Sequence, residues 1–461
     1  MKVGVIGGGA AGLAAAFELL RQGHDAQVFE RSAFLGGQAS TFDVGGSRLE
    51  KGYHHLFTSD VDMAWVIREL GLENKLEWIP SKVGLFHKGR IWDFSTPKDL
   101  LKFSAISLVD RLRLGLVTLY LRRRRNWRTL ENVTAAKWLP RFVGKRAYEA
   151  IWEPLLRGKF GQHYNEIGMT WFWGKIALRL ASRGRSLGGE RLGYPIGSFG
   201  EVFDTLGERI REMGGEVHTE ANVLSVAMTG GNATGLEIQL AGEHPSIRRF
   251  DAVLSTTPSW VFASLAPELP SSYRELLTGT TYLAAVMMIL ELDRPLTTTY
   301  WMNIADSEVP FVAAIEHTNF VPPEHYGGSH LLYLANYLDK DNLMYHMNHD
   351  ELLEHYLPSL KKLNPDFDES WIKSSHYHRE EAAQPVNGTA YASRIPAHRT
   401  PIEGLYLANT TQIFPEDRGT NYSVRLGRKA ARLLLEDYGH GVTGELPQPV
   451  ILDSITSALD W

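Results

Sequence analysis

Several glycines close to the start of the chain have the spacing found in loops that bind a phosphate group. The segment Gly7-Gly8-Gly9-Ala10-Ala11-Gly12 follows the apolar residues 3–6 and precedes the helical pattern of residues 13–20. In such a segment the first glycine permits a tight turn, the middle one lets the backbone approach a pyrophosphate, and the last lets helix and strand pack closely. The phosphates then lie on the unpaired N–H groups and the positive dipole end of the helix. The pattern predicts a dinucleotide site built from Gly7, Gly9, Ala10, Ala11 and Gly12.

An acidic residue follows at the distance that a dinucleotide-binding fold requires. Residues 26–29 form a second apolar segment that ends in Glu30, eighteen residues after Gly12. A carboxylate at this position accepts hydrogen bonds from the hydroxyls of the adenosine ribose, and it repels the 2′-phosphate of NADP. All the expected features occur in the right order and at the right spacing: a strand, the glycines, a helix, a second strand and an acid. A glycine-rich turn without a ligand is therefore the weaker interpretation.

The composition limits the class of protein. The chain has 461 residues, of which 44% are hydrophobic, so we expect more than one domain. A net charge of −5 argues against nucleic acid as a partner. The chain contains no cysteine, which excludes disulfides, cysteine-ligated metals and a flavin attached through sulfur. His376 and His378 share one face of a predicted strand without a third ligand nearby, so we assign no metal site.

The location of the protein is predicted from the same features. The first residues form the predicted first strand, and they lack the basic region and the cleavage site of a signal peptide. No run of eighteen apolar residues is present, so no spanning helix is predicted. Together with the absence of cysteine, these features predict a cytoplasmic protein, with peripheral contact to the inner face of the membrane as an open alternative.

Segments with the pattern of a nucleotide-binding domain alternate with other segments along the chain. We predict a discontinuous nucleotide-binding domain from residues 1–75, 190–260 and 400–440, a mainly helical region over 76–189, an α+β substrate domain over 261–399 and a tail over 441–461. The predicted fold class is α/β, with a discontinuous Rossmann-like domain, an inserted α+β substrate domain and a helical subdomain. The closing helix, predicted over residues 422–436, has Arg428, Lys429 and Arg432 on its polar face.

Several motifs together resemble one family. They are the glycine segment of residues 7–12, Glu30-Arg31, Gly36-Gly37-Gln38, residues 194–198, Val223, residues 255–258 and residues 404–427. By these motifs the chain, up to about residue 440, resembles the FAD-dependent superfamily of amine oxidases, protoporphyrinogen oxidase and phytoene-type desaturases. The resemblance implies FAD as the cofactor, bound in a glutathione-reductase-type domain. Beside the glycine segment, it implies FAD contacts from Glu30, Arg31, Gly37, Gln38, Tyr53, His54, Val223, Asn409, Asn421, Tyr422 and Ser423.

Two positions depart from the family pattern. The family usually ends its last strand in Gly-Asp, where this chain has Ala408-Asn409, and it usually has Gly-Arg where this chain has Gly37-Gln38. Asparagine still donates and accepts hydrogen bonds but brings no charge, and glutamine removes a cation. Neither change argues against FAD, but both argue against transferring the activity of any one subfamily.

The region of residues 95–175 resembles the helical part of porphyrinogen oxidases and carotenoid-type desaturases. The resemblance implies a large, lipophilic substrate in which a C–C or C–N bond loses a hydride to the flavin. An amine substrate is an alternative, although residues 409–419 contain Phe414 without the aromatic pattern of the amine oxidases. A non-redox flavoenzyme of the sugar-nucleotide mutase type is another, with a pyrophosphate pocket lined by Arg394, Arg399 and Arg418. A binding module that holds the nucleotide only for structure also stays open.

The electron acceptor is predicted from the other glycine clusters. None of them lies between a strand and a helix at the required spacing, so no second nucleotide site is predicted. We therefore expect oxygen, a quinone or another acceptor, rather than a nicotinamide, to reoxidise the flavin. The flavin itself accepts the hydride, so a dedicated base is not required. Candidates for a catalytic acid or base are His54, His55, Glu316 and His317, each with the alternative of a hydrogen-bonded structural residue.

Residues 104–125 predict an amphipathic helix that touches a membrane. Ala105, Val109, Leu112, Leu116 and Tyr120 recur at steps of four and three and form one apolar stripe. The segment then runs into four arginines, residues 122–125, followed by Trp127. A basic helix flanked by an aromatic residue suits a membrane interface, and each arginine near an anionic surface adds about 1 kcal/mol of attraction. In the alternative interpretation, the stripe packs on the substrate domain and the arginines are solvated.

Overall fold

A computed structural model describes residues 1–182 and 190–451 of the chain. Its strands are β1 Lys2–Ile6, β2 Asp25–Phe29, β3 Thr41–Val44, β4 Ser47–Glu50, β5 Leu56–Phe57, β6 Leu76–Pro80, β7 Val83–His87, β8 Arg90–Asp93, β9 Arg191–Pro195, β10 Glu216–His218, β11 Asn222–Thr229, β12 Asn232–Gln239, β13 Ser246–Arg249, β14 Ala252–Ser255, β15 Tyr282–Leu292, β16 Trp301–Ile304, β17 Ala313–Glu316, β18 His330–Leu338, β19 Ile372–Pro385 and β20 Leu405–Leu407. Its α-helices are α1 Ala10–Arg21, α2 Val61–Glu69, α3 Pro97–Lys102, α4 Leu108–Arg123, α5 Ala135–Val143, α6 Lys145–Ala147, α7 Glu153–Phe160, α8 Met169–Ser182, α9 Ser198–Glu212, α10 Ser259–Leu265, α11 Ser271–Thr278, α12 Leu343–His346, α13 His349–Leu363 and α14 Thr420–Asp437.

The first sheet has five parallel strands in the order β10-β2-β1-β14-β20. Val5 on β1 lies opposite Val28 on β2 and Leu254 on β14. The strands are short, apolar and buried because both faces of the sheet are covered. Helices α1, α9 and α14 pack together beside it, and β12 of the antiparallel β11-β12-β13 sheet packs against β14. The chain returns to this sheet from residues far apart in sequence.

A second sheet has seven strands in the order β19-β15-β18-β17-β16-β7-β8. Its longest central strand, β15, is buried along almost its whole length. Strands β6, β7 and β8 fall in the region of residues 76–189 that we predicted as mainly helical, so that prediction is wrong before residue 97. Residues Val83–His87 are buried throughout, which suits an internal strand paired with β16 better than a helix with one solvated face.

The helical region begins at α3, and α8 packs against α4 within it. The indole nitrogen of Trp173 on α8 donates to the carbonyl of Leu121 on α4 (2.9 Å). Of the α4 side chains, only Leu114 and Leu121 are buried. Trp127 is also fully buried, with its ring centroid 5.5 Å from that of Phe414. The prediction that Trp127 flanks a membrane-contacting helix is therefore wrong, because this ring fills the core.

The closing helix α14 packs against α1 and α2. We placed Arg428, Lys429 and Arg432 on the polar face of this helix, and the structure shows that all three are buried. The Glu18 carboxylate on α1 explains part of this placement. It lies 2.9 Å from Nε of Arg428 and 2.6 Å from a guanidinium nitrogen of Arg432. The cations are therefore held between two helices instead of facing water.

The C-terminal tail is described only as far as residue 451. In residues 441–451 the structure shows no helix or strand, and the N–H of Thr443 donates to Oε1 of Gln22 (2.9 Å). The rest of the predicted tail, residues 452–461, lies outside the described residues. None of the helices described above is long and apolar enough to cross a bilayer.

Candidate functional site

The glycine segment forms the turn from β1 into α1. Gly7 has a φ of +106°, and a Cβ at this position would lie 2.6 Å from the hydroxyl oxygen of Thr256. A Cβ at Gly12 would lie only 1.9 Å from the carbonyl oxygen of Gly7. Because a backbone atom cannot move aside as a side chain can, any residue but glycine at position 12 would push α1 away from β1.

The Gly36-Gly37 turn lies directly beside this segment. The N–H of Gly36 donates to the carbonyl of Gly8 (2.9 Å), and a Cβ on Gly37 would lie 3.1 Å from the Cα of Gly9. A Cβ on Gly9 would approach Gly37 no closer than 3.7 Å, an ordinary van der Waals distance, so Gly9 is not confined as Gly7 and Gly12 are. The first N–H groups of α1 have no partner within the helix and are available to a ligand. We call residues 7–12, Glu30 and Gly36-Gly37 the cradle.

Glu30 ends β2 at the edge of the cradle. Its carboxylate accepts hydrogen bonds from the N–H of Gly8 (2.8 Å) and of Ser32 (2.7 Å), which fix its orientation. Each oxygen keeps a lone pair for a further donor. The neighbouring Arg31 is exposed. The strand that carries Val223 begins at the same edge, where the N–H of Ala221 donates to the carbonyl of Glu30 (2.9 Å).

Two predicted cofactor residues are held by other parts of the protein. The side-chain nitrogen of Gln38 donates to the carbonyl of Ala382 (2.8 Å), which ties the Gly-Gly turn to the second sheet. The side-chain nitrogen of Asn409 donates to the carbonyl of Thr257 (3.0 Å) and to the hydroxyl of Ser259 (3.1 Å). Both side chains therefore already have structural partners, and a contact of either with FAD stays a prediction.

Asn421 has a structural contact of the same kind. Its side-chain oxygen accepts hydrogen bonds from the N–H groups of Asp62 (2.9 Å) and Met63 (3.0 Å), at the start of α2. Asn421 therefore joins the first turns of α2 and α14. Tyr422 and Ser423 follow it, and both are half-buried. Burial raises the pKa of the Tyr422 hydroxyl well above its usual value.

The loop between β4 and β5 brings Tyr53, His54 and His55 into the interior. Nδ1 of His54 lies 2.7 Å from the carbonyl of Gly52 and donates to it, so the lone pair of the neutral ring lies on Nε2. Burial lowers the pKa of His54 to about 4 and that of His55 to about 3, so both rings are neutral at pH 7. The hydroxyl of Tyr53 bonds to that of Tyr337 (2.8 Å).

Glu316 and His317 lie where β17 ends. The Glu316 carboxylate accepts hydrogen bonds from the N–H groups of Leu296 (2.7 Å) and Thr297 (2.7 Å), and burial raises its pKa to about 7. Nε2 of His317 lies 2.7 Å from the hydroxyl of Tyr326, and burial lowers the pKa of this ring to about 3. These contacts match hydrogen-bonded structural residues, and a catalytic role for either stays a prediction.

Four charged side chains from three separate segments meet close to Tyr337. The Nζ atoms of Lys159 on α7 and of Lys175 on α8 each lie 2.9 Å from Oδ2 of Asp417. Arg418 donates to the hydroxyl of Tyr337 (2.9 Å). We call Lys159, Lys175, Asp417 and Arg418 the charged cluster. Sequence reasoning missed it, because only the Asp-Arg pair just before α14 signals it and nothing joins residues 159 and 175 to that pair.

The pKa values in the charged cluster follow from burial and mutual charge. Burial lowers the pKa of both Lys159 and Lys175, against the opposing effect of Asp417. Burial alone would raise the pKa of Asp417, but the two lysines and Arg418 outweigh it and hold this pKa far below its usual range. Asp417 is therefore ionised at neutral pH.

The three arginines that we predicted for a pyrophosphate pocket do not come together. Arg399 pairs with Asp437 at the end of α14 (2.7 Å), whereas Arg418 lies just before the start of that helix. An eighteen-residue helix separates them by roughly 27 Å. Arg394 is exposed and donates to the carbonyl of Thr389 (3.0 Å). The predicted pocket of Arg394, Arg399 and Arg418 is therefore wrong.

The histidine pair on β19 contacts protein groups. Nε2 of His376 lies 2.8 Å from the carboxylate of Glu291, and the His378 ring packs against Phe42. Across residues 1–182 and 190–451, no three side chains of His, Cys, Asp or Glu converge to hold a metal ion.

The cradle and its sequence motifs match a known family. Residues 10–435 match the flavin containing amine oxidoreductases. The chain belongs to this family. It is an FAD-dependent oxidoreductase.

Individual relatives of this flavin oxidoreductase are distant but similar along the whole chain. A 15-cis-phytoene desaturase from an Oncidium hybrid cultivar is 23% identical over 470 residues, which cover 95% of this chain and 78% of the relative. A solved structure assigned as a protoporphyrinogen oxidase, from Exiguobacterium sp. 255-15, has a TM-score of 0.72 at 18% identity and covers 94% of this chain and 99% of its own. A reduced UDP-galactopyranose mutase has a TM-score of 0.72 at 16% identity and covers 96% of each chain. At such identities the structures confirm the predicted fold class alone.

The residues of the cradle fit FAD. Its backbone needs glycine at positions 7 and 12, α1 begins directly after this turn, and a half-buried carboxylate lies where the second strand ends. These are the features with which a helix N-terminus and its neighbouring acid hold a dinucleotide. The individual contacts to FAD stay predictions.

Proposed function

We propose that this oxidoreductase takes a hydride from a C–C or C–N bond of a lipophilic substrate, which it meets at a membrane surface. The observation that carries the proposal is the outward apolar face of α4, which lies next to a run of arginines. The whole-chain similarity to an enzyme named for phytoene, a hydrocarbon, also supports a lipophilic substrate.

The exposed hydrophobic residues of the protein are concentrated around α4. Of fourteen large hydrophobic side chains that are exposed in the described structure, eight lie between residues 101 and 142. We call these eight the apolar patch: Leu101, Leu108, Val109, Leu112, Leu116, Leu119, Tyr120 and Phe142. Val109 is 72% and Leu116 is 68% exposed, whereas Ala105 of the predicted stripe is half-buried against the core. A contiguous exposed patch of this kind marks an interaction surface.

Positive charge adjoins the apolar patch. Arg122, Arg123 and Arg125 are exposed at the end of α4, and Arg113 is exposed beside Phe142, to whose carbonyl it donates (2.5 Å). An anionic lipid surface matches both features, because leucines enter the acyl boundary while each nearby cation adds about 1 kcal/mol of attraction. We therefore propose peripheral binding to anionic membranes.

Vesicle flotation tests this contact. We expect the protein to float with vesicles that contain phosphatidylglycerol, less so at high salt, and not with vesicles of phosphatidylcholine alone. Leu112→Ser with Leu116→Ser, or serine at residues 122–125, should leave the protein in the soluble fraction. Ile247→Ser, which changes an exposed side chain on β13, is the matched control and should float like the unchanged protein. Equal recovery with and without anionic lipid would contradict the proposal.

The roles of the cofactor residues follow the family pattern and belong to the proposal. FAD, when bound, supplies the hydride acceptor. We propose that the glycines and alanines of residues 7–12 hold its pyrophosphate, that Glu30 accepts from the adenosine ribose, and that the backbone of Val223 borders the adenine. His54, neutral and unprotonated at Nε2, is the candidate to accept a proton from the substrate.

Anaerobic mixing with candidate substrates tests the reaction. We expect lipophilic substrates to bleach the oxidised flavin band, with FAD released as a noncovalent cofactor on denaturation. Bleaching by amines alone would support the amine oxidase alternative, which the family description favours. Turnover without net change in flavin absorbance would support the mutase alternative, which rests on shared fold. Failure of all three classes would contradict hydride transfer to flavin.

We propose further that oxygen, a quinone or another acceptor reoxidises the flavin. The motivation is the single nucleotide-binding segment at residues 7–12. Stopped-flow mixing of the oxidised enzyme with NADH or NADPH should therefore leave the flavin oxidised. Fast bleaching by either nucleotide would overturn this part of the proposal.

A further inference from the structure

The charged cluster holds more positive than negative charge. Over the residues that the structure describes, Lys159 and Lys175 have no carboxylate partner except Asp417, and Arg418 has none. Two positive charges are thus left without a countercharge in contact. Because buried cations without a countercharge are unfavourable, the cluster would be stabilised by an anion from outside the chain.

The cluster is accessible in part. The Lys175 side chain keeps 43% of its surface accessible, whereas Lys159 and Asp417 keep 17% and 19%. Lys159 and Arg418 are half-buried. Arg418 donates to the hydroxyl of Tyr337 (2.9 Å), and a hydrogen bond between the hydroxyls of Tyr337 and Tyr53 (2.8 Å) connects the cluster to the loop that carries His54.

Hydrogen-bond donors in the cluster remain unused. Nε of Arg418 is buried and has no hydrogen-bond partner within the described structure. The planar guanidinium fork suits a carboxylate or a phosphate, which can accept from two of its N–H groups at once. The Lys175 ammonium has three donors, and Asp417 accepts one of them.

We propose that the charged cluster binds an oxyanion, a carboxylate or a phosphate, at one end of the substrate. The inference rests on the proposed function and makes the lipophilic substrate an amphiphile with an anionic head. Arg418 and Lys175 donate to the oxyanion, while Lys159 keeps Asp417 paired. An ammonium group is repelled from the same place by three cations, which separates this substrate class from simple amines.

Calorimetric titration of the FAD-containing protein with four octyl compounds tests the site. We expect octanoate or octyl phosphate to bind at least about tenfold more tightly than 1-octanol, as one charge-assisted hydrogen bond allows, and octylamine to bind most weakly. The tighter of the two anions identifies the oxyanion as carboxylate or phosphate. Binding of that anion should weaken as salt is added, whereas binding of 1-octanol should not.

Variants of Lys175 show whether the cluster is responsible. Lys175→Met should lose about tenfold in affinity for the preferred oxyanion and keep its affinity for 1-octanol, and Lys175→Arg should restore oxyanion binding. Lys340→Met, which removes an exposed lysine paired with Glu381, is the matched control and should bind like the unchanged protein. Flavin content reports whether each variant is folded. Equal affinity for 1-octanol and both anions, or unchanged oxyanion affinity in Lys175→Met, would overturn the proposal.

The two proposals fail in different ways. Anaerobic bleaching by an uncharged lipophile, together with equal binding of octanol and the anions, would keep hydride transfer and overturn the oxyanion site. Tight, Lys175-dependent binding of octanoate or octyl phosphate without bleaching by any amphiphile would support the oxyanion site and contradict hydride transfer from a lipophilic substrate.

Discussion

Two groups of buried charge in this protein differ in access. Between α1 and α14, Glu18 and Arg428 keep only 1% and 2% of their side-chain surface accessible. In the charged cluster, Lys175 keeps 43%. The charge balance differs as well. Glu18 and Asp62 pair with three arginines of α14, whereas Asp417 pairs with Lys159 and Lys175, and Arg418 has no carboxylate partner among the described residues.

The difference separates charges that hold the fold from charges that are open to a ligand. Arg428 lies with its guanidinium carbon 3.5 Å from the ring centroid of Trp65 and keeps only 2% of its side-chain surface accessible, so it is closed to solvent. These charges join α1, α2 and α14 around the cradle. The charged cluster is partly accessible and has one carboxylate for three cations, so these cations can act on a molecule that binds there. Each prediction below tests one side of this contrast.

The largest effect is expected from Glu18→Gln. This change leaves two buried arginines without their carboxylate, which should lower the free energy of unfolding by about 3–5 kcal/mol. Urea unfolding of the FAD-containing protein measures it. Glu153→Gln breaks the partly exposed pair with Arg157 on α7 and should lower the free energy of unfolding by at most about 1 kcal/mol. Similar losses from both variants would contradict the structural role of Glu18.

The contribution of Glu18 should depend on pH with a defined sign. Burial alone would raise the pKa of Glu18, but Arg428 and Arg432 outweigh it, so the pKa in the folded protein lies below the ordinary value of 4.5. The stabilisation is then complete above pH 4.5 and is lost as the pH falls through the lower, folded pKa. The difference in unfolding free energy between the unchanged protein and Glu18→Gln should therefore shrink below pH 4.5.

The cradle gives the next largest effect. In Gly12→Ala the new methyl group would lie 1.9 Å from the carbonyl oxygen of Gly7, and we expect a loss of about 3 kcal/mol in unfolding free energy together with loss of bound FAD. Flavin absorbance of the purified protein measures the second loss. Gly441→Ala adds a methyl group where nothing lies within 4 Å, and it should retain its flavin. Full flavin retention by Gly12→Ala would contradict the close approach of residue 12 to the carbonyl of Gly7.

The cradle could be predicted from sequence because it is local. Residues 7–12 and Glu30 belong to one strand–helix–strand unit. The spacing of its glycines follows directly from the tight turn between the first strand and the helix. The charged cluster could not be predicted in this way, since Lys159, Lys175 and Asp417 come from elements that only tertiary packing brings together. The burial of the polar face of α14 could not be predicted for a related reason. A helical pattern does not reveal that a buried carboxylate on another helix, here Glu18, provides the partner.

The strands before residue 97 could not be predicted either, because a short apolar run is compatible with both a helix and a strand. Residues Val83–His87 are such a run, and only their pairing with β16 decides that they form an internal strand. The α4 stripe was predicted in outline, and four of its five residues are exposed. Which neighbours extend the stripe into a patch, such as Phe142, depends on how α5 packs beside α4.

Glu30→Ala should have a smaller effect, confined to the cofactor. Loss of a charged acceptor for the ribose hydroxyls should weaken FAD binding by roughly 1.5–3 kcal/mol. Ultrafiltration at increasing dilution measures FAD retention. Glu268→Ala, which changes an exposed carboxylate after α10, is the control and should retain FAD. A colourless protein that binds NAD tightly would contradict the assignment of the cradle to FAD.

The contrast between the buried charges around Glu18 and the accessible charged cluster is tested most directly by comparing the unfolding free energies of Lys175→Met and Glu18→Gln. The pKa of Lys175 is lowered, mainly by burial, so the folded protein disfavours the charged form of this side chain. Between the folded pKa and 10.5 the unfolded chain binds more protons than the folded protein, so the unfolding free energy of the unchanged protein should rise with pH over this range. At pH 7 the account predicts that Lys175→Met unfolds within about 1 kcal/mol of the unchanged protein, or is more stable, while Glu18→Gln loses several times as much. A loss in Lys175→Met as large as that in Glu18→Gln would show that the charged cluster holds the fold, and it would contradict the account.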